Sequence, residues 1–117
     1  MLHIKKILLG LCVLLALSPL TAFAQTAEEA FEKANTAYYK GNYSQAIQDY
    51  TKAIQLNPQL AEAYTNRGVV KAHIKDKTGA YADLEKAKQL FLEQNDMEGY
   101  KNAIEAKNLA SQLLEQK

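Results

Sequence analysis

Two histidines and one cysteine are the groups in this 117-residue chain best suited to nucleophilic, proton-transfer or metal chemistry, and their positions argue against all three. His3 and Cys12 stand at the amino-terminal end, beside the apolar run Ile7 to Leu17. His73 is alone further on, with no second imidazole or thiol to complete a metal site. A single histidine near a helix end is expected to meet terminal carbonyls rather than to move protons. No Ser–His–acid set, glycine-rich phosphate loop or convergent carboxylate pair is present. The acidic residues are interspersed with lysines, as on a solvated helix face. The sequence therefore predicts no enzyme, no metal and no cofactor. Lys and Arg total 14 against 13 Asp and Glu, which leaves no basic footprint for nucleic acid.

The first residues read as a targeting segment. Lys5 and Lys6 precede the apolar run, Ser18-Pro19 breaks it, and Ala22-Phe23-Ala24 fits a small-x-small cleavage rule. This is the layout of a secretory signal peptide over residues 1–24. An apolar run this short falls well below the roughly 20 residues needed to span a bilayer. Contact with a membrane is expected only if the segment stays attached. Leu11, not a small residue, precedes Cys12, so Cys12 reads as apolar filler and not as a lipidation site. Removing the segment takes Lys5, Lys6 and the cysteine with it. The remaining domain, residues 25–117, then carries a net charge of −1 and no thiol. Disulfides cannot stabilise it, so helix packing must. The expected location is the periplasm or an equivalent lumen, or the medium outside.

Those helices repeat. A shift of 34 residues brings Ala46 onto Ala80, Ala53 onto Ala87, Leu56 onto Leu90, Tyr50 onto Leu84 and Ala34 onto Gly68. Each unit reads as two helices. Thr26 with Glu29 resembles a capping box, Gly41 ends the first helix, and Asn42 with Gln45 is expected to cap the second. Tyr43, Ala46, Ile47, Tyr50, Ala53 and Ile54 give that second helix one apolar face, and Asn57-Pro58 stops it. The second unit follows the same plan with helices near 60–74 and 78–94, and Asp76 as a cap. After Asn95-Asp96 a fifth helix, near 97–115, falls out of register and reads as a terminal cap. Tyr100, Ile104 and Leu114 are expected to face inward on it, leaving Leu109 and Leu113 outside.

Ala34-Asn35, Gly41-Asn42-Tyr43, Ala46-Ile47, Tyr50, Ala53-Ile54 and Leu56-Asn57-Pro58 together resemble one tetratricopeptide repeat, and Ala61 to Gly68 resembles the opening of a second. The resemblance implies an all-α, right-handed solenoid: repeat 1 over 27–60, repeat 2 over 61–94 and a capping helix over 97–115. Small residues at Ala34, Ala46, Ala53, Gly68, Ala80 and Ala87 would let helices approach, Tyr43, Tyr50 and Tyr64 would fill the wider gaps, and Pro58 would punctuate the repeats. Lys75 and Lys77 stand where the family usually has glycine and tyrosine, which predicts a looser second turn.

In that family the first helix of each repeat lines a concave groove for another polypeptide. Position by position, the groove here would include Phe31, Asn35, Tyr38, Thr65, Asn66, Val69 and His73. Asn35 and Asn66 stand at the two asparagines of the family's carboxylate-binding groove, but Phe31 replaces its lysine. Amides without a cation hold a carboxylate weakly. Two readings of Asn35 and Asn66 stay open, bridging or water-facing on one side, contact with a peptide main chain on the other. Phe31 and Tyr38 are likewise either anchors for a partner or packing between helices. The resemblance implies a scaffold or adaptor binding a protein or peptide partner. The alternatives are a self-associating structural protein, since solenoids generally want about three repeats, and a membrane-tethered assembly factor.

Overall fold

A computed structural model describes residues 24–117. The expected signal segment, apart from Ala24, lies outside the described residues. Within them are five α-helices and no strand: α1 (Ala27–Tyr39), α2 (Tyr43–Leu56), α3 (Ala61–His73), α4 (Lys77–Glu93) and α5 (Met97–Glu115). α1 pairs with α2 and α3 with α4, α2 packs on α3, and α5 lies against both helices of the second pair. This is the all-α tetratricopeptide solenoid of two helical hairpins and a capping helix.

Local chemistry explains where the helices start and stop. The Thr26 hydroxyl accepts the Glu29 N–H at 3.1 Å, satisfying one of the donors that a helix start leaves free. Asp76 and Asp96 do the same for Gly79 and Gly99, each at 2.9 Å. Asn42 is different. It makes no side-chain capping bond, and Gln45, the expected partner, donates instead to Asp49 at 3.1 Å.

The three hairpin turns share one hydrogen-bond pattern, in which the N–H three residues past the helix reaches back five positions. It joins Asn42 to the Ala37 carbonyl, Asp76 to Lys71 and Asp96 to Phe91, each at 2.9 Å. The residue before each has left-handed backbone, with φ of 77° at Gly41, 67° at Lys75 and 56° at Asn95. The turn at Lys75 is therefore as closed as the one at Gly41, contrary to the looser turn its sequence suggests. The reason is an added tether. The Lys75 ammonium donates to the Leu113 carbonyl and, at 2.8 Å, to that of Gln116. A cation placed on carbonyls at the end of α5 offsets the steric cost of a side chain in this conformation.

The core is built largely of alanine. Ala30, Ala34, Ala46, Ala53 and Ala63 are fully buried around Tyr50 and Val70, with Tyr43 and Phe31 packed against them. Ala61, Ala87 and Ala103 surround Leu90 and Phe91, with Tyr64 at the margin. Ala72, Ala80 and Ala110 enclose Leu84. Ala46 and Ala80 stand in equivalent places, since each donates its N–H to the residue preceding its helix, Asn42 or Asp76, at 2.9 Å. At Gly68 the helices come closest: a Cβ there would lie 2.8 Å from Leu84 Cγ and 3.1 Å from the Ala80 carbonyl oxygen. Pro58 sits exposed in the link between repeats. The capping helix corrects one expectation. Gly99, Ala103 and Ala110 are its buried positions, and Leu113, expected outside, packs beside the core with Ala106 and Leu114, whereas Ile104, expected inside, is 37% exposed.

Candidate peptide-binding site

α3 lies between α1 and α5, and Asn66 and His73 tie it to α1. Asn35 on α1 and Asn66 on α3 meet directly, the Asn66 amide donating to Asn35 Oδ1 at 3.1 Å. The same oxygen accepts the Tyr50 hydroxyl at 2.5 Å. Burial pushes the Tyr50 phenol up to about 12, so it stays protonated and remains a donor. Of the two readings of these asparagines, the bridging one is what the structure shows. Each uses half of its amide to join the helices, and among the described residues the other half has no partner: the Asn35 N–H₂ and the Asn66 carbonyl. One donor and one acceptor are the two kinds of group that an extended peptide backbone pairs with.

The other predicted groove residues divide. Phe31 packs on Tyr50 with ring centroids 5.8 Å apart, and its role is to close the first core. Val69 is 7% exposed and has little surface to offer. Thr65 is half-buried and returns its hydroxyl to the Ala61 carbonyl at 3.1 Å. Tyr38 and His73 form a pair, with the Tyr38 hydroxyl 3.2 Å from His73 Nε2. The imidazole also stacks on Tyr43, with centroids 4.7 Å apart and planes 18° from parallel. His73 therefore meets aromatic rings of the first hairpin and not the carbonyls at its own helix end. Burial, with a smaller effect from the charge of Lys75, lowers its pKa below the usual value. Beside this cluster Tyr39 is 85% exposed.

Past Asn66 the surface deepens into a pocket of about 260 Å³ between α3 and α5. Phe91 and Gly99 form its floor. Thr65, Asn66 and Asn102 supply amide and hydroxyl groups, and Glu62, Asp96 and Glu98 place carboxylates around it.

A buried ion pair, among acids that the sequence suggests are solvated, fixes α3 in this position. Asp83 on α4 is 5% exposed. It accepts Arg67 Nε and Nη2 at 2.7 Å each, and Lys71 at 2.9 Å. Arg67 Nη1 also reaches the Thr51 hydroxyl on α2 at 3.0 Å, so one guanidinium joins both repeats. The clue was available: Lys33 precedes Arg67, and Asp49 precedes Asp83, by one repeat length. In the first repeat the pair is weaker. Lys33 is 4.0 Å from Asp49 Oδ1, and Asp49 Oδ2 is buried without a hydrogen-bond partner among the described residues.

The fold and this polar seam define a tetratricopeptide-type helical repeat protein. Comparison with known proteins agrees: the TPR repeat family matches residues 34–73. The chain is similar to a DnaJ protein P58IPK homolog of Arabidopsis thaliana, 36% identical over 86 residues. That match covers 70% of this chain and 17% of the relative. It is also similar to Hsp70-Hsp90 organizing protein 1 of Glycine max, 46% identical over 41 residues, which are 35% of this chain and 7% of the other. The matched stretch is a small fraction of either relative's length.

Proposed function

We propose that this protein is a non-catalytic interaction module that holds an extended segment of another protein along the face formed by α1, α3 and α5. The observation that carries the reading is the Asn35–Asn66 bond, which spends one half of each amide inside the protein and leaves a donor on one asparagine and an acceptor on the other. Tyr38 and Tyr39 lie at one end of this face and the α3–α5 pocket at the other. The relative named an Hsp70-Hsp90 organizing protein supports a protein partner here. The amino-terminal sequence pattern supports export to the periplasm or a comparable lumen.

The test is photocrosslinking from Tyr38 or Asn66, with the outward-facing Lys52 as control. Capture of a discrete partner from the two face positions and not from Lys52 is expected. Equal capture from all three positions removes the reading. Self-association is the second reading, drawn from Met97 and Ile104, two helical turns apart on α5 and 61% and 37% exposed. Light scattering at high micromolar concentration separates the two. A monomer eliminates self-association, and a dimer disrupted by Ile104→Asp establishes it.

A further inference from the structure

The pocket between α3 and α5 gathers three acids and no basic residue. The ion-paired acids lie elsewhere: Asp83 holds Arg67 and Lys71, Glu85 holds Lys88 and Lys107, and Asp49 has Lys33 at 4.0 Å. Glu62, Asp96 and Glu98 all line one cavity, and among the described residues none has a cationic group within 4.0 Å. No lysine, arginine or histidine lines the cavity.

Two opposing contributions must be weighed. The starts of α3 and α5 point toward this region, and each helix start carries about half a positive charge that fades within a turn. Three full carboxylates outweigh roughly one unit of positive charge. The uncharged groups lean the same way. Asn66 has committed an amide N–H to Asn35, which leaves its carbonyl as the free acceptor. Asp96 uses one oxygen to cap α5 and keeps the other. The cavity is therefore rich in acceptors over an apolar floor at Phe91. Its volume of about 260 Å³ is just under the roughly 300–1,000 Å³ of drug-sized sites, a size suited to one long side chain.

Resting on the groove reading above, we infer that this pocket seats a lysine or arginine side chain of the bound segment, so that the protein selects basic peptides and rejects acidic ones. The stem of such a side chain would lie over Phe91, and its head would meet the carboxylates. Nothing in the pocket would neutralise a terminal carboxylate.

The experiment titrates the full chain with three end-capped alanine-serine peptides that differ at two positions, which hold lysine, norleucine or glutamate. Norleucine keeps the stem and removes the charge. Affinity is read by calorimetry and location by amide NMR shifts. The lysine peptide is expected to move Gly99 and Asn102 and to bind at least about tenfold tighter than the norleucine peptide. That preference should shrink as salt rises, because exposed charges are screened. The double variant Glu62→Gln, Glu98→Gln should remove the preference while its circular dichroism spectrum stays unchanged. If all three peptides bind equally, with shifts centred on Asn35 and Asn66, the cation site is wrong and the groove reading stands. Tightest binding of the glutamate peptide also overturns the cation site. If no peptide binds at millimolar concentration and no shift occurs on this face, both readings fall.

Discussion

At the scale of single residues, the Arg67–Asp83 pair shows how position outweighs type. Both side chains are mostly buried, at 15% and 7% exposure, so removing one partner strands a charge in a poorly solvated site. Arg67→Ala is expected to cost about 3 kcal/mol, at the low end for a broken buried pair because Lys71 remains. Urea denaturation would measure it, and a loss under about 1 kcal/mol would mean the pair is screened like a surface one. The first repeat offers the converse. Lys33→Arg supplies a planar fork where a single ammonium reaches only one oxygen of Asp49, and a gain of about 1 kcal/mol is expected by the same assay. His73 makes a pH prediction. Its pKa in the folded chain is lowered, so the unfolded chain takes up the proton first. The stability this gives is complete above about pH 6.5, the ordinary histidine value, and is lost as pH falls through the folded value. Thermal melts between pH 7.5 and 5.5 should show the decline, and His73→Gln should flatten it.

At the scale of helices, small residues and turns set the geometry. Any Cβ at Gly68 already lies within 2.8 Å of Leu84, so Gly68→Leu should overpack the α3–α4 joint by about 1–3 kcal/mol. An unchanged melting curve would mean the hairpins sit further apart than described. Lys75→Gly separates two opposing effects. Glycine removes a left-handed side chain, worth about 1–2 kcal/mol. It also loosens the unfolded chain by about 0.5–1 kcal/mol and deletes the exposed tether to α5. These nearly cancel, so global stability should move by less than about 1 kcal/mol. Amide exchange in the last turn of α5 should nonetheless quicken, because Leu113 and Gln116 lose their cation. Slow exchange there in the variant would show that the tether contributes nothing. The hairpin periodicity was legible from residue spacing, and so were the caps at Thr26 and Asp76. The Lys75 turn was not, since its compensation comes from residues about forty positions away.

At the scale of the whole molecule, α5 completes the second hairpin. It follows α4 through the same turn that closes each repeat, only 20 residues after Lys75, which is why it falls out of the 34-residue register. It covers Phe91 and Ala61 at one end and Leu84 at the other. Lys107 on Glu85 at 2.8 Å and Ser111 on Tyr81 at 2.8 Å add polar ties. Truncation before Met97 should uncover these apolar residues, broaden the denaturation transition and promote aggregation. A truncated chain that melts as sharply as the whole would make α5 a mere appendage. α5 also forms one wall of the acidic pocket, so the same helix that closes the core shapes the surface offered to a partner.

Spacing by itself determined the helices, the repeat and the alanine positions, because those depend on side-chain size and on periodicity along one chain. Asn35 and Asn66 could be singled out in the same way. What each asparagine does was decided only when α1 and α3 came together, since a hydrogen bond between residues 31 positions apart depends on how two helices cross. The burial of Asp49 and Asp83, the stacking of His73 on Tyr43 and the outward turn of Ile104 were likewise fixed by packing. Charged, aromatic and aliphatic side chains each suit more than one environment, and only their neighbours in space select among them.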